Sequence, residues 1–77
     1  METKKKDDRK LLGSQIEDRI LEYIKEKPLE VGDRLPNEFE LAEMFEVGRS
    51  TIREAVKGLV TKGVLQVRRG AGTYVSS

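Results

Sequence analysis

A mainly α-helical domain closed by a small β-hairpin is expected from three observations. Apolar residues recur at helical spacing in three separate stretches. Two of these, NEFELAEMF and RSTIREAVKGLV, are separated only by Glu46-Val47-Gly48. The last stretch, VLQVRRGAGTYV, alternates about a basic, Gly-rich tip and has the pattern of a hairpin. Helix, tight turn, helix, hairpin is the order of a three-helix winged helix-turn-helix.

Residues 1–10, METKKKDDRK, hold one apolar side chain, Met1, and are expected to form a flexible basic arm ahead of a single domain over 11–77. Ser14-Gln15-Ile16-Glu17 has the spacing of a capping box, which would start the first helix. Ile16, Ile20, Tyr23 and Ile24 then form one apolar stripe, and Pro28 ends the helix near 25–27. The next segment, LEVGDRLP, is extended: Gly32-Asp33 turns the chain and Pro36 keeps Leu35 out of a helix. Arg34-Leu35 is placed to add a short strand beside the hairpin.

Asn37 caps the second helix, with Glu40 as its box partner. The helix-turn-helix, about 37–56, needs apolar residues where its helices cross and a small one at the closest approach. Leu41, Phe45, Val47, Ile52 and Ala55 meet the first need and Ala42 the second. Glu46 stands where glycine would tolerate a left-handed turn, at a cost of roughly 1 kcal/mol. In the third helix Ile52, Ala55, Val56, Leu59 and Val60 share the core face. Gly48 is a weak cap, Gly63 ends the helix, and Gly58 costs about 1 kcal/mol at mid-helix, with a close packing contact as its only structural reason. In the hairpin, about 64–75, Leu65 and Val67 point one way and Gln66 and Arg68 the other. Tyr74 returns on the second strand.

Composition narrows the function. The chain has no Cys and no His, which removes thiol nucleophiles, imidazole bases, disulfides and the usual zinc ligands. With 77 residues, 36% of them hydrophobic, only a modest core can form, and no catalytic constellation is visible. No apolar run is long enough for a membrane span or a signal-peptide core, so a cytoplasmic location without membrane contact is expected.

Net charge is only +1, but its distribution is uneven. Residues 17–46 hold ten acidic against four basic side chains. Residues 49–69 hold six basic side chains against one acidic, Glu54. A DNA-binding surface needs such a local positive face, because affinity arises largely from phosphate neutralisation. On the outward face of the third helix, Ser50, Arg53 and Lys57, flanked by Arg49 and Thr51, suit a major groove: arginine pairs with guanine O6 and N7, and hydroxyls suit base edges or phosphate. At the hairpin tip, Arg69 joins Gly70 and Gly72, whose bare backbone can approach a sugar-phosphate closely.

These residues carry a resemblance. LP-x-E at 35–38, R-x-T-x-R-E-A at 49–55 and the closing G-x-G-T-[FY]-V make residues 12–75 similar to the N-terminal winged-helix domain of the GntR family of bacterial transcription regulators. The resemblance implies a sequence-specific DNA binder, commonly a repressor, acting as a homodimer on double-stranded DNA carrying a short inverted repeat. It gives Arg49, Arg53, Ser50 and Thr51 the recognition-helix roles, and Arg69 and Gly70 the minor-groove role of the wing. Where the family often has a DNA-contacting arginine, this chain has Phe39, and Arg34 is the candidate replacement. The resemblance further implies that a metabolite effector binds a C-terminal domain absent from this chain, with no cofactor in the present domain. A winged-helix protein-interaction module that does not bind DNA is the alternative. The basic face of the third helix argues against it, since such a module has no need of Arg49, Arg53, Lys57 and Arg69 together.

Overall fold

The computed structural model describes residues 4–76, with side chains from residue 12 onward. Its elements are α1 (Lys4–Glu26), α2 (Glu38–Phe45), α3 (Arg49–Thr61), β1 (Leu65–Arg68) and β2 (Gly72–Val75). They form a winged helix-turn-helix. The apolar stripe of α3 buries Ile52, Ala55 and Leu59 completely. Ile16 and Ile20 of α1, Leu41 and Ala42 of α2, Leu35, Leu65 and Val75 close the core around it. No buried polar or charged side chain occurs among the described residues, so the interior is held by apolar burial alone.

Local chemistry sets the element boundaries. The Asn37 carboxamide oxygen accepts from the Glu40 N–H at 2.8 Å, and the Glu40 carboxylate accepts from the Asn37 N–H at 2.9 Å. This completes the expected capping box. At the other end of α2, Glu46 adopts φ 58° and ψ 48°, the left-handed region. The Val47 and Glu46 N–H groups then reach back to the Ala42 and Glu43 carbonyls, a Schellman closure that aims the chain into α3. Gly63, at φ 82°, closes α3 in the same way, with Val64 bonded to Leu59 and Gly63 to Val60.

Antiparallel β1 and β2 pair Leu65 with Val75, Gln66 with Tyr74, Val67 with Thr73 and Arg68 with Gly72. The Arg34-Leu35 strand is present as a bridge between Arg34 and Tyr74 on the far edge of β2. It is supported by Leu35 N–H to Thr73 and Val75 N–H to Asp33 bonds, each 2.9 Å. Leu65 and Val75 anchor the hairpin base, and Val67 lies beyond the core at 60% exposure.

Three expectations need correction. Residues 1–3 of the expected arm lie outside the described residues, and from Lys4 onward the backbone is already helical. Lys, Arg and Leu dominate the residues before Ser14, and neither Asp7-Asp8 nor Gly13 is enough to stop the helix before it. Ser14 is therefore an interior helical residue and the Ser14–Glu17 box does not form; Glu17 instead accepts a 2.6 Å hydrogen bond from Nζ of Lys62, the C-cap of α3. Val60, assigned to the core, is 38% exposed, because the core face of α3 narrows to Ile52, Ala55 and Leu59, with Val56 half-buried beside them.

Gly58 has a packing reason: a β-carbon there would run into the Glu17 carboxylate. Gly58→Ala is therefore expected to displace Glu17 from Lys62 and to stabilise little. In a Glu17→Ala background the same change should stabilise by about 1 kcal/mol, its helix-propensity gain. Equal effects in both backgrounds, by urea denaturation, would rule out a shared space. Replacing Glu46 by glycine should raise stability by roughly 0.5–1 kcal/mol as the left-handed strain is relieved. No gain would mean that Glu46 is unstrained.

Candidate nucleic-acid interface

The packing of α3 determines which of its side chains reach solvent. With Ile52, Ala55 and Leu59 facing inward, Arg49, Ser50, Arg53, Glu54 and Lys57 are left exposed along the opposite side, with Thr51 half-buried at its edge. Among the described residues Arg49 and Lys57 have no ion-pair partner. The Gly48 N-cap makes no side-chain hydrogen bond, so the first turn of α3 keeps backbone N–H groups available to an anion.

Arg53 is held from α2. Its Nε donates to Glu38 Oε2 at 3.0 Å and its Nη2 to Oε1 at 3.3 Å. This fork sets the guanidinium plane, which an unpaired arginine would leave to rotamer averaging. The Arg53 hydrogen bond is the main reason the Glu38 carboxyl sits below its ordinary pKa; burial opposes it, and the nearby charges of Arg53 and then Arg49 add smaller lowering effects. Glu38 was not among the residues that the sequence assigned to the interface. The pair joins positions fifteen residues apart across the helix-turn-helix, and no local pattern signals it.

The wing brings a second group together. Gly70, at φ 75°, turns the tip, and Arg69 beside it is exposed with no ion-pair partner among the described residues. Gly72, at φ 124°, has an internal reason as well as any external one: a β-carbon there would lie 2.8 Å from Arg34 Nε. Arg34 thus lies across the root of the wing. The Tyr74 hydroxyl donates to the Ala71 carbonyl at 3.1 Å, and the Arg68 guanidinium lies over the Tyr74 ring, 4.6 Å from its centroid. The 66–74 pairing makes Arg68 and Tyr74 diagonal neighbours, so the hairpin register alone could have revealed this contact.

The sequence-assigned residues therefore fall into two sets. Arg49, Ser50, Thr51, Arg53 and Lys57 share α3, while Arg34, Arg69, Gly70 and Gly72 share the wing and its root. Phe39, in the first turn of α2 beside Glu38, is 55% exposed. Among the described residues no group of three acidic side chains converges as a metal site, and no helix is long and apolar enough to cross a membrane.

Comparison with known proteins places these features in a family context. Residues 12–75 match the gntR family of bacterial regulatory proteins. The mannosyl-D-glycerate transport/metabolism system repressor MngR of Escherichia coli (strain K12) is 46% identical over 66 residues, which cover 86% of this chain and 28% of that protein. Among solved structures, Streptococcus agalactiae GntR is similar with a TM-score of 0.80 at 57% identity, over 84% of this chain and 32% of that one. The DNA-binding domain of AraR, solved in complex with operator ORX1, is similar with a TM-score of 0.77 at 34% identity, over 83% of this chain and 77% of that one. The chain spans about a quarter of the length of the curated relatives it matches.

Because the folded-state pKa of Glu38 is lowered, its pairing with Arg53 stabilises the fold above the unfolded-state value of about 4.3. That contribution is lost as pH falls through the lower folded value. The Glu38 carboxyl resonance should titrate with a midpoint below that of an unperturbed glutamate, and Arg53→Ala should move it upward. A midpoint indifferent to Arg53→Ala would show that the fork does not persist in solution.

Proposed function

Because the chain belongs to the gntR family of bacterial regulatory proteins, we propose that it is the DNA-binding unit of a transcription regulator. In this reading α3 enters the major groove and the wing lies along the adjacent minor groove. The observation that carries the reading is the outer face of α3, where Arg49 and Lys57 are exposed without ion-pair partners among the described residues and Arg53 is held in a fixed plane by Glu38. An exposed helix with a cationic outer side and an apolar stripe on the other is built to meet a polyanion.

Roles follow from geometry. Arg53, with its guanidinium plane set, suits a bidentate contact to a guanine edge. Arg49, Ser50 and Thr51, in the first turn of α3, suit phosphate and base-edge contacts beside the free N–H groups of the helix start. Lys57, one turn beyond Arg53, suits a phosphate, and Arg69 with Gly70 suits the minor groove. We extend to this chain the repressor role that the E. coli relative's name gives. Operation as a homodimer on a short inverted repeat in the cytoplasm, with a metabolite effector bound by a separate domain, completes the reading. No catalytic role is part of it.

Two measurements test it. In an amide NMR titration with an inverted-repeat duplex at low salt, shifts should cluster at 49–57 and 69–73. Shifts absent from both regions would reject the docking. Replacing Arg53 by alanine should cost roughly 1–3 kcal/mol on the preferred sequence and relax discrimination at one base pair. An equal loss on every sequence would make Arg53 a phosphate contact.

A further inference from the structure

The root of the wing is a three-strand edge, and side-chain parity gathers a second cationic group on one of its faces. Arg34 pairs with Tyr74 across one edge of β2, and Tyr74 pairs with Gln66 across the other. Directly paired residues share a face, as do residues two apart along a strand. Arg34, Gly72, Tyr74, Gln66 and Arg68 therefore occupy the same face. Two of them are arginines, and neither has a carboxylate partner among the described residues.

Both guanidinium groups are positioned by a neighbour. Arg34 Nε occupies the space that a side chain at 72 would need, so Gly72 is the opening through which that arginine crosses the strand. Arg68 is laid over the Tyr74 ring, whose hydroxyl is tied to the Ala71 carbonyl at the tip. Two like charges held on one small face repel unless an anion lies between or beside them. A planar guanidinium pair offers donors in the geometry that phosphate oxygens accept.

We propose that Arg34 and Arg68, held by Gly72 and Tyr74, form a preset clamp for a DNA backbone phosphate at the root of the wing. The proposal rests on the DNA-binding reading above and adds to it a defined role for Arg68 and a positioning residue, Tyr74. It also separates the work of two adjacent arginines: Arg68 grips the backbone and Arg69 is left to probe the groove. Tyr74 acts through Arg68 and does not itself touch DNA.

The test uses the chain as it stands and a short mixed-sequence duplex, because a phosphate clamp needs no particular sequence. Binding is followed by fluorescence anisotropy across a salt series, and thermal melting monitors the fold of each variant. Arg34→Ala and Arg68→Ala should each weaken binding and flatten the plot of log K against log salt, by about 0.9 in total when both are replaced, the release of one phosphate's counterions. Lys25→Ala, on the exposed end of α1, should leave the slope unchanged. Tyr74→Leu should weaken binding roughly two- to fivefold, the range for loss of an exposed cation–π contact. In an Arg68→Ala background it should have no further effect, and Tyr74→Phe should retain the salt slope of the unchanged chain.

Unchanged slopes in both arginine variants, with the unchanged chain still binding in a salt-dependent way, would overturn the clamp and leave the DNA-binding reading intact. An equal loss from Tyr74→Leu in both backgrounds would overturn its positioning role. Failure of the unchanged chain to bind any duplex would overturn the clamp together with the reading beneath it.

Discussion

The burial of a single apolar stripe on α3 is the constraint on which the rest of this structure depends. Ile52, Ala55 and Leu59 are wholly enclosed, and α1, α2 and β1 each pack against this helix. Ala55 lets another element approach closely, while Ile52 and Leu59 fill the space on either side. The same stripe fixes the rotation of α3 about its own axis. Once that rotation is set, Arg49, Arg53 and Lys57 are left on the exposed side.

With no polar group in the core among the described residues, interior hydrogen bonding does little to select this arrangement over other packings of the same apolar residues. The ends of the elements carry that selection instead. The Asn37–Glu40 box, the left-handed Glu46 and the Gly63 closure each determine the direction in which the chain leaves or enters a helix. Three short signals thus orient elements whose contacts are otherwise non-directional.

What the sequence revealed divides along the same line. The cap of α2, the three-residue turn, the end of α3 and the hairpin tip all depend on residues close together in sequence, and each was legible. The start of α1 was misjudged because a good cap sequence at Ser14 does not start a helix when the residues before it are equally willing to be helical. Val60 was misjudged because a periodic pattern marks a face and gives no measure of its width. The α3 and wing residues were proposed by type and spacing. The groups that hold them, Glu38 for Arg53, Gly72 for Arg34 and Tyr74 for Arg68, were missed as such, because two of the three pairings join residues of different elements distant in sequence.

The contact between Glu17 and Gly58 has a consequence for how this domain can drift over generations. The two positions, on different helices, share one small volume, and Lys62 rewards the acid for occupying it. A lineage that first trades the acid at 17 for a small residue opens the way to many residues at 58. One that first adds a side chain at 58 must evict a bound carboxylate. The accessible order of change is thus asymmetric, and glycine at 58 should be inherited together with an acid at 17, although neither touches the proposed DNA-facing surface.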